Sequence, residues 1–399
     1  MLVGIIGKPN SGKSTFFSAA TLVDVPIANY PFTTIKPNIG IAYVRVKCVC
    51  KELKVKDNPI NSFCIDGNRF VPVKMVDVAG LVPGASKGRG LGNKFLDDLR
   101  QADALIHVVD ISGKTDSEGR ICEYHDPLKD IEFVEEEFDL WVNSIIEKDW
   151  PKIIRRAEAE GEKIEALLAE KLSGLSIKER DIIEALALSN LKGKNPTKWG
   201  EKELFLLVKN IRKVSKPMLI AANKVDLSSS KENIEALKRK NINFIPCSSE
   251  AELLLKKASK KGLVKYIPGD KDFEIEDESR LTEAQRNSLN LVREKVLKVW
   301  GSTGVQEIVN SAFLRLLGAV AVYPVEDENN FSDKKGNVLP DCYLMKRNST
   351  AIDLANTIHS DLAKGFLYAI DAKRKVRLPS DYVLKDSDVI KIVSTTRRG

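Results

Sequence analysis

Cysteine and histidine are scarce in this chain, with six and three in 399 residues. Six cysteines are too few for a disulfide framework and suit a reducing compartment. No run of about 18 apolar residues occurs, so no segment reads as a membrane-spanning helix. The start, Met1-Leu2-Val3-Gly4-Ile5-Ile6-Gly7, lacks a basic region before its short apolar run, which argues against a secretory signal. These absences point to a cytoplasmic protein. Neither charge sign dominates: Lys+Arg 63 against Asp+Glu 56 gives a net +7. That balance admits a ribosome or RNA partner without demanding one, and gives no reason to expect sequence-specific DNA binding. What is present is globular, 43% hydrophobic and 30% charged, with length for two or three domains.

The amino-terminal part reads as α/β. Leu2 to Ile6 is a short buried strand and Lys13 to Thr21 a helix. Gly40 to Lys47 alternates as a strand does, and Val71 to Val76, Ala104 to Val109, Met218 to Ala222 and Asn243 to Pro246 are further β-rich runs. Strands alternating with helices predict a mostly parallel sheet covered on both faces. Between Asp110 and Met218 the pattern is helical, with apolar stripes predicted over Glu132 to Ile146, Pro151 to Leu172 and Ile177 to Leu191. This reads as a coiled-coil-like helical insertion, its charges a solvated surface rather than a nucleic-acid face. Leu281 to Trp300 and Gln306 to Leu317 read as helices around loop-like Gly262 to Asp277. From Gly318 a strand-rich module begins: strands at Val320 to Pro324, Val338 to Leu344, Phe366 to Ile370 and Val389 to Val393, with a helix at Ala351 to Leu362. The expected organisation is a P-loop domain (1–125 and 213–317), a helical insertion (126–212) and a C-terminal domain (318–399).

The chemistry lies at the loops after the strands. Gly7-Lys8-Pro9-Asn10-Ser11-Gly12-Lys13-Ser14, followed by Thr15, fits the phosphate-binding pattern Gly-x4-Gly-Lys-Ser between a strand and a helix. The glycines let backbone N–H groups and the helix N-terminus wrap a phosphate chain. Lys13 would neutralise the β- and γ-phosphates, and the Ser14 hydroxyl would ligate Mg²⁺. Asn223-Lys224-Val225-Asp226 fits Asn-Lys-x-Asp, which reads guanine. The Asp226 carboxylate can accept from both guanine N1–H and the 2-amine, a donor pair adenine lacks, and the Lys224 stem would cover the base. Cys247-Ser248-Ser249-Glu250 stands where a base-supporting loop belongs. Asp77-Val78-Ala79-Gly80 fits Asp-x-x-Gly, with Asp77 holding Mg²⁺ through water and the Gly80 amide sensing the γ-phosphate. In Tyr30-Pro31-Phe32-Thr33-Thr34, Thr34 is the expected switch threonine that meets Mg²⁺ only with GTP bound. GTP, GDP and Mg²⁺ are therefore the expected ligands.

The stretch Asp77 to Leu96, rich in glycine from Gly80 to Gly92, resembles the second switch of the Obg-related GTPases, specifically the YchF/Obg-like subfamily. Tyr30-Pro31-Phe32-Thr33-Thr34, Gly262 to Asp270, Ser302 to Gln306 and Leu339-Pro340-Asp341 are similar to that subfamily too. The final module resembles a TGS domain, a small β-grasp fold. The resemblance implies a slow GTPase switch near ribosomes, RNA or translation. Many YchF members replace Asn-Lys-x-Asp with a motif ending in Glu and hydrolyse ATP. This chain keeps Asn223, Lys224 and Asp226 and resembles an archaeal-type branch that retains GTP; a YchF-like ATPase, or a binding module merely stabilised by nucleotide, is the alternative.

Ras-like enzymes orient the attacking water with a glutamine after Asp-x-x-Gly. Leu81 stands there and cannot do so. Slow hydrolysis is expected, with help from a potassium ion, a mobile side chain or a partner. Asn10 occupies the P-loop position that in related GTPases can hold K⁺, against a purely structural loop role, and His125 is a further candidate against a turn histidine. Lys13, Thr34, Gly80 and Asn10 are the residues expected to act on the phosphates.

Two other constellations stand outside this pattern. Cys48, Cys50 and Cys64 offer three thiolates, but structural zinc takes four ligands and no fourth Cys or His lies near. Asp57 or Asp66 would have to complete the set; the alternative is small buried hydrophobes on a strand. Lys373, Arg374, Lys375, Arg377, Arg397 and Arg398 give the last module a basic surface that could meet RNA phosphates or simply be solvated. His359 reads as a packing residue.

Overall fold

A computed structural model describes residues 1–22, 38–78, 80, 84 and 100–395. Thr33, Thr34, Leu81, Arg397 and Arg398 lie outside the described residues. The chain forms two compact units, one built on Met1–Ala19, Asn38–Gly40 and Met75–Ile308, the other on Ile41–Lys74 and Val309–Gly399.

The strands of the main sheet are β1 (Leu2–Ile6), β2 (Ile39–Lys47), β3 (Phe63–Ile65), β4 (Asn68–Asp77), β5 (Ala104–Asp110), β6 (Met218–Asn223) and β7 (Phe244–Cys247). In the first unit the order is β4–β1–β5–β6–β7, with β1, β5, β6 and β7 parallel. All seven residues of β5 are buried. Its apolar run, interrupted only by His107 and ended by Asp110, is what a central parallel strand covered on both faces needs. Parallel pairing sends the chain out at one edge of the sheet, where α/β folds carry their ligand loops. The Gly7–Ser14, Asn223–Asp226 and Cys247–Glu250 segments all leave from that edge.

Helix α1 (Lys13–Thr21) follows the first loop, and α2 (Val49–Leu53) lies in the second unit. The insertion holds five helices: α3 (Pro127–Glu147), α4 (Trp150–Ala159), α5 (Ile164–Lys171), α6 (Glu179–Leu188) and α7 (Glu201–Ser215). Asp126 caps α3, accepting from Leu128 N at 3.0 Å, with Pro127 in the first turn. Phe138, Trp141, Val142, Leu207 and Ile211 pack against Ile6, Val76 and Leu105, so α3 and α7 share a core with the sheet. The helix expected over Pro151 to Leu172 is two. The apolar period runs on through the break, but Gly161 takes φ +66°, and Arg156 reaches back across the turn to Glu162 at 2.8 Å and 2.9 Å. Helix α7, closed by Pro217, has no counterpart among the three helical ranges expected in this stretch. Further on come α8 (Ser230–Arg239), α9 (Ser249–Lys260), the two-stranded β8 (Val264–Lys265) and β9 (Glu274–Ile275), α10 (Glu283–Val292) and α11 (Val305–Asn310).

The second unit contains the pairing of β3 with Asn68, Arg69 and Phe70 of β4 and a five-stranded sheet of β10 (Val320–Val325), β11 (Tyr343–Met345), β12 (Phe366–Asp371), β13 (Val376–Leu378) and β14 (Asp388–Ser394). Its order is β11–β10–β14–β12–β13, with β10 and β14 parallel. Helices α12 (Ala351–Ile358) and α13 (Ser360–Lys364) accompany it, the single helix expected there being broken at extended His359. The strand expected over Val338 to Leu344 shrinks to β11. Leu339 sits at φ +46°, Pro340 has no N–H to donate, and the Val338 N–H goes to Asn58.

Candidate functional site

The phosphate-loop backbone is shaped by three positive φ values: Gly7 at +146°, Asn10 at +60° and Gly12 at +94°. A Cβ on Gly7 would stand 2.4 Å from the Val108 carbonyl oxygen, and one on Gly12 2.3 Å from Asn223 Nδ2. Both glycines are therefore fixed by close approach as well as by conformation.

Lys13 is buried, its ammonium donating to the Lys8 carbonyl at 2.6 Å. Burial pulls its pKa down to about 8, with Asp77 opposing. The Ser14 hydroxyl donates to Asp77 Oδ2 at 3.0 Å, and burial pushes the Asp77 carboxyl above its ordinary range. Gly80 lies beside this group: a Cβ there would be 3.2 Å from Lys13 Nζ. Lys13, Ser14, Asp77 and Gly80 are thus brought together as the motifs require. Thr15 follows on α1, half-buried.

Asn223 ties two loops. Its Nδ2 donates to the Ser11 carbonyl at 3.0 Å, and its Oδ1 accepts from Ser249 N at 3.0 Å and Ser249 Oγ at 2.9 Å. Lys224, at φ +69°, donates to the Asn10 carbonyl at 2.9 Å and to Asp110 Oδ2 at 2.8 Å. Burial would raise the Asp110 pKa, but hydrogen bonds from Lys224, Ser112 and Thr115 hold it below the usual carboxylate range. Ser248 caps α9, accepting from Ala251 N at 3.2 Å. Asp226 is half-buried, and no described residue donates a hydrogen bond to its carboxylate.

Several supports were not legible in the motifs. Lys8 is fully buried and turns away into the protein, to the Thr115 carbonyl at 2.6 Å and Asp130 at 2.7 Å. Asp130 also holds His125 Nε2 at 2.8 Å, so the histidine is tied to a buried carboxylate. The Asn10 side-chain amide donates to the Gly119 carbonyl at 2.9 Å. Gly304, at φ +81°, abuts β7, where a Cβ would lie 2.0 Å from the Pro246 carbonyl oxygen, and the Thr303 carbonyl accepts from Ser248 N at 2.9 Å. These supports are scattered over more than 100 residues, and no spacing rule connects them to the loops they hold.

The basic segment of the second unit is internally engaged. Lys373 pairs with Glu52, Arg374 with Asp371, Lys375 with the Glu328 carbonyl, and Arg377 lies over the Tyr368 ring. His359 is exposed and caps α13, accepting from Asp361 N, rather than packing.

Three family models match in succession: a 50S ribosome-binding GTPase domain over residues 2–143, an Obg-like GTPase YGR210-like, G4 motif-containing domain over residues 221–327, and a TGS domain over residues 329–394. The chain is 54% identical to an uncharacterised GTP-binding protein of Methanocaldococcus jannaschii, with 99% of this chain and 100% of that one covered. It is 31% identical to the ribosome-binding ATPase YchF of Mycoplasma genitalium, over 97% of each chain. Among solved structures, a GTP-binding protein from Pyrococcus horikoshii matches with a TM-score of 0.77 and 43% identity, covering 99% of this chain and all of that one.

Proposed function

The chain belongs to the YchF/Obg-like family of P-loop GTPases, and on that premise we propose that it binds GTP and hydrolyses it slowly to GDP and phosphate, as a switch acting at the ribosome. The observation that carries the choice of GTP is Asp226, a half-buried carboxylate without a donor among the described residues, next to the Asn223 that ties the phosphate loop to Ser249. Guanine supplies two donors to such a carboxylate. Adenine would cover it and leave it unpaired, at a cost of about 1–3 kcal/mol.

In this reading Gly7 to Thr15 wrap the phosphates, and Lys13 neutralises the β- and γ-phosphates. Its buried ammonium, short of a carboxylate partner among the described residues, is suited to that task. Ser14 and Asp77 bring two hard oxygen donors to one point, the donor set Mg²⁺ prefers. They would hold the ion with Thr34, Asp77 acting through water. The bound ion would draw charge from the phosphate oxygens as the γ-phosphoryl leaves. The Gly80 amide senses the γ-phosphate. Lys224, braced by Asp110, lies where its stem can cover the base, with Ser248 and Ser249 behind. Leu81 offers the attacking water no hydrogen bond, which fits a low intrinsic rate. Asn10, its amide nitrogen committed to Gly119, has its oxygen left to face a K⁺ beside the phosphates. Domain boundaries at 126 and 318 belong to the same proposal, whereas the one expected at 213 falls inside α7, which runs to Ser215. So does a cytoplasmic location, supported by the ribosome-binding name of a relative. No described helix is long and apolar enough to cross a membrane.

The test is competition of GTP and ATP for a fluorescent guanine analogue, alongside co-sedimentation with ribosomes in GTP-analogue and GDP states. Equal affinity for the two triphosphates would turn the reading to a YchF-like ATPase. Ribosome binding indifferent to nucleotide would leave a binding module instead of a switch.

A further inference from the structure

Cys48, Cys50, Cys64 and Asp57 come together in the second unit, and we propose that they bind a single zinc ion. One ligand atom from each lies within 4.8 Å of every other. Cys48 Sγ is 3.3 Å from Asp57 Oδ2, and Cys50 Sγ is 4.0 Å from Cys64 Sγ. A tetrahedral site with Zn–S near 2.3 Å and Zn–O near 2.0 Å separates its ligand atoms by about 3.5–3.8 Å. The cage therefore needs only a small contraction around one ion and is too tight for a multi-iron cluster. Three thiolates and one carboxylate favour zinc over the oxygen-seeking magnesium or calcium.

The sequence left this set open because the fourth ligand is an aspartate that no spacing rule anticipates. The fold supplies it. Cys48 stands at the N-terminal boundary of α2 and Cys50 lies in its first turn, so neither is on a strand. Asp57 is in the following loop, and Cys64 is on β3.

The set also explains why the full positive charge of Arg69 is buried beside it. Arg69 is 0% exposed, and its Nη2 donates to Cys48 Sγ at 3.6 Å, Asp57 Oδ2 at 2.9 Å and the Leu339 carbonyl at 3.0 Å, while Nη1 donates to Ser62 Oγ at 2.9 Å. Three thiolates, a carboxylate and a divalent ion leave roughly two excess negative charges, and the guanidinium offsets one. It also orients two of the four ligands, as hydrogen-bond partners of metal ligands do. A neutral thiol is a poor acceptor, so an Arg–sulfur contact in a dry site is more at home with a thiolate. Binding releases the thiol protons to solvent and leaves the zinc oxidation state unchanged. The ion would fasten residues 48–64 into one piece and, through Arg69, brace the Leu339 loop.

The test uses the full chain, purified under reducing conditions. Elemental analysis should find about one zinc per chain, and cobalt exchanged for zinc should give the thiolate charge-transfer and tetrahedral d–d bands. Cys64→Ser should lose the charge-transfer intensity of one thiolate, Cys122→Ser should lose none, and Arg69→Lys should weaken cobalt binding by about 10–100-fold. Chelation of the wild type should lower its melting temperature. The wild-type titration decides the matter even where a variant fails to fold. Absence of cobalt bands in folded wild type, bands unchanged in Cys64→Ser, or a Cys50–Cys64 disulfide as the resting form would each overturn the proposal.

Discussion

The phosphate loop and the helical insertion both bury a cation, and they treat it in opposite ways. In the insertion, Arg212 donates to Asp139 at 2.7 Å and 3.4 Å and to Glu135 at 2.8 Å, so a planar fork meets two carboxylates. Its charge is answered within the fold. In the loop, Lys13 meets one carbonyl and no carboxylate within ion-pair distance among the described residues, and its pKa falls to about 8. A buried charge matched by its neighbours serves structure, whereas one held short of partners is poised for an anion from outside.

The strongest way to break this contrast is to remove each charge. Lys13→Met should reduce GTP turnover by about 10²–10³-fold while leaving the nucleotide-free protein at least as stable, because it deletes a desolvated ammonium. Arg212→Met should do the reverse, costing about 3–5 kcal/mol of stability as Asp139 loses its partner, with GTP affinity of the folded fraction unchanged. Denaturant melts and single-turnover rates on both variants separate the two. If Arg212→Met proves neutral, the insertion is not organised around that pair.

Next in size is Asp226→Asn, which should weaken GTP by about 10–100-fold, or 1–3 kcal/mol, and improve binding of the xanthine nucleotide. Calorimetry with the two triphosphates measures it; unchanged GTP affinity would mean the base is read elsewhere.

The pH dependence follows from the lowered Lys13 pKa. A bound triphosphate favours the charged ammonium, so affinity should be full below about pH 8 and fall above it, by at most about tenfold per unit. In the nucleotide-free protein the unfolded chain holds that proton more tightly. The Lys13 contribution should therefore make stability rise with pH between about 8 and 10.5, and the rise should be smaller in Lys13→Met. Melts of the two proteins across that range give the difference directly.

The smallest effect expected is at the turn that splits the insertion. Gly161 at φ +66° has open space around it, so Gly161→Ala meets no clash and should cost about 1 kcal/mol from backbone strain alone. A larger loss in a melt would mean the turn carries a contact beyond its conformation.

The nucleotide loops were legible because their chemistry is local. Gly7 to Ser14, Asp77 to Gly80 and Asn223 to Asp226 each use residues close in sequence, at spacings set by the backbone geometry they must adopt. The alternation of strand and helix and the apolar run of β5 likewise declared a parallel sheet. Other features needed the tertiary structure. The break at Gly161 hid beneath an apolar period that continues through it, since periodicity reports which face is buried and not whether the helix is continuous. The Val338 strand failed because Asn58, 280 residues away in sequence, takes a backbone donor the ladder would need. Lys8 belongs to the phosphate-binding motif, yet its side chain is drawn to Asp130 on α3, and the aspartate beside Cys48, Cys50 and Cys64 was one of two indistinguishable candidates. Sequence alone carried the motifs on which the proposed nucleotide rests, because recognition of phosphate and guanine is written in short stretches of backbone and side chain. Tertiary structure decided what holds those stretches in place, because a buried charge or an unpaired donor takes its partner from whatever part of the chain the fold brings within about 3 Å.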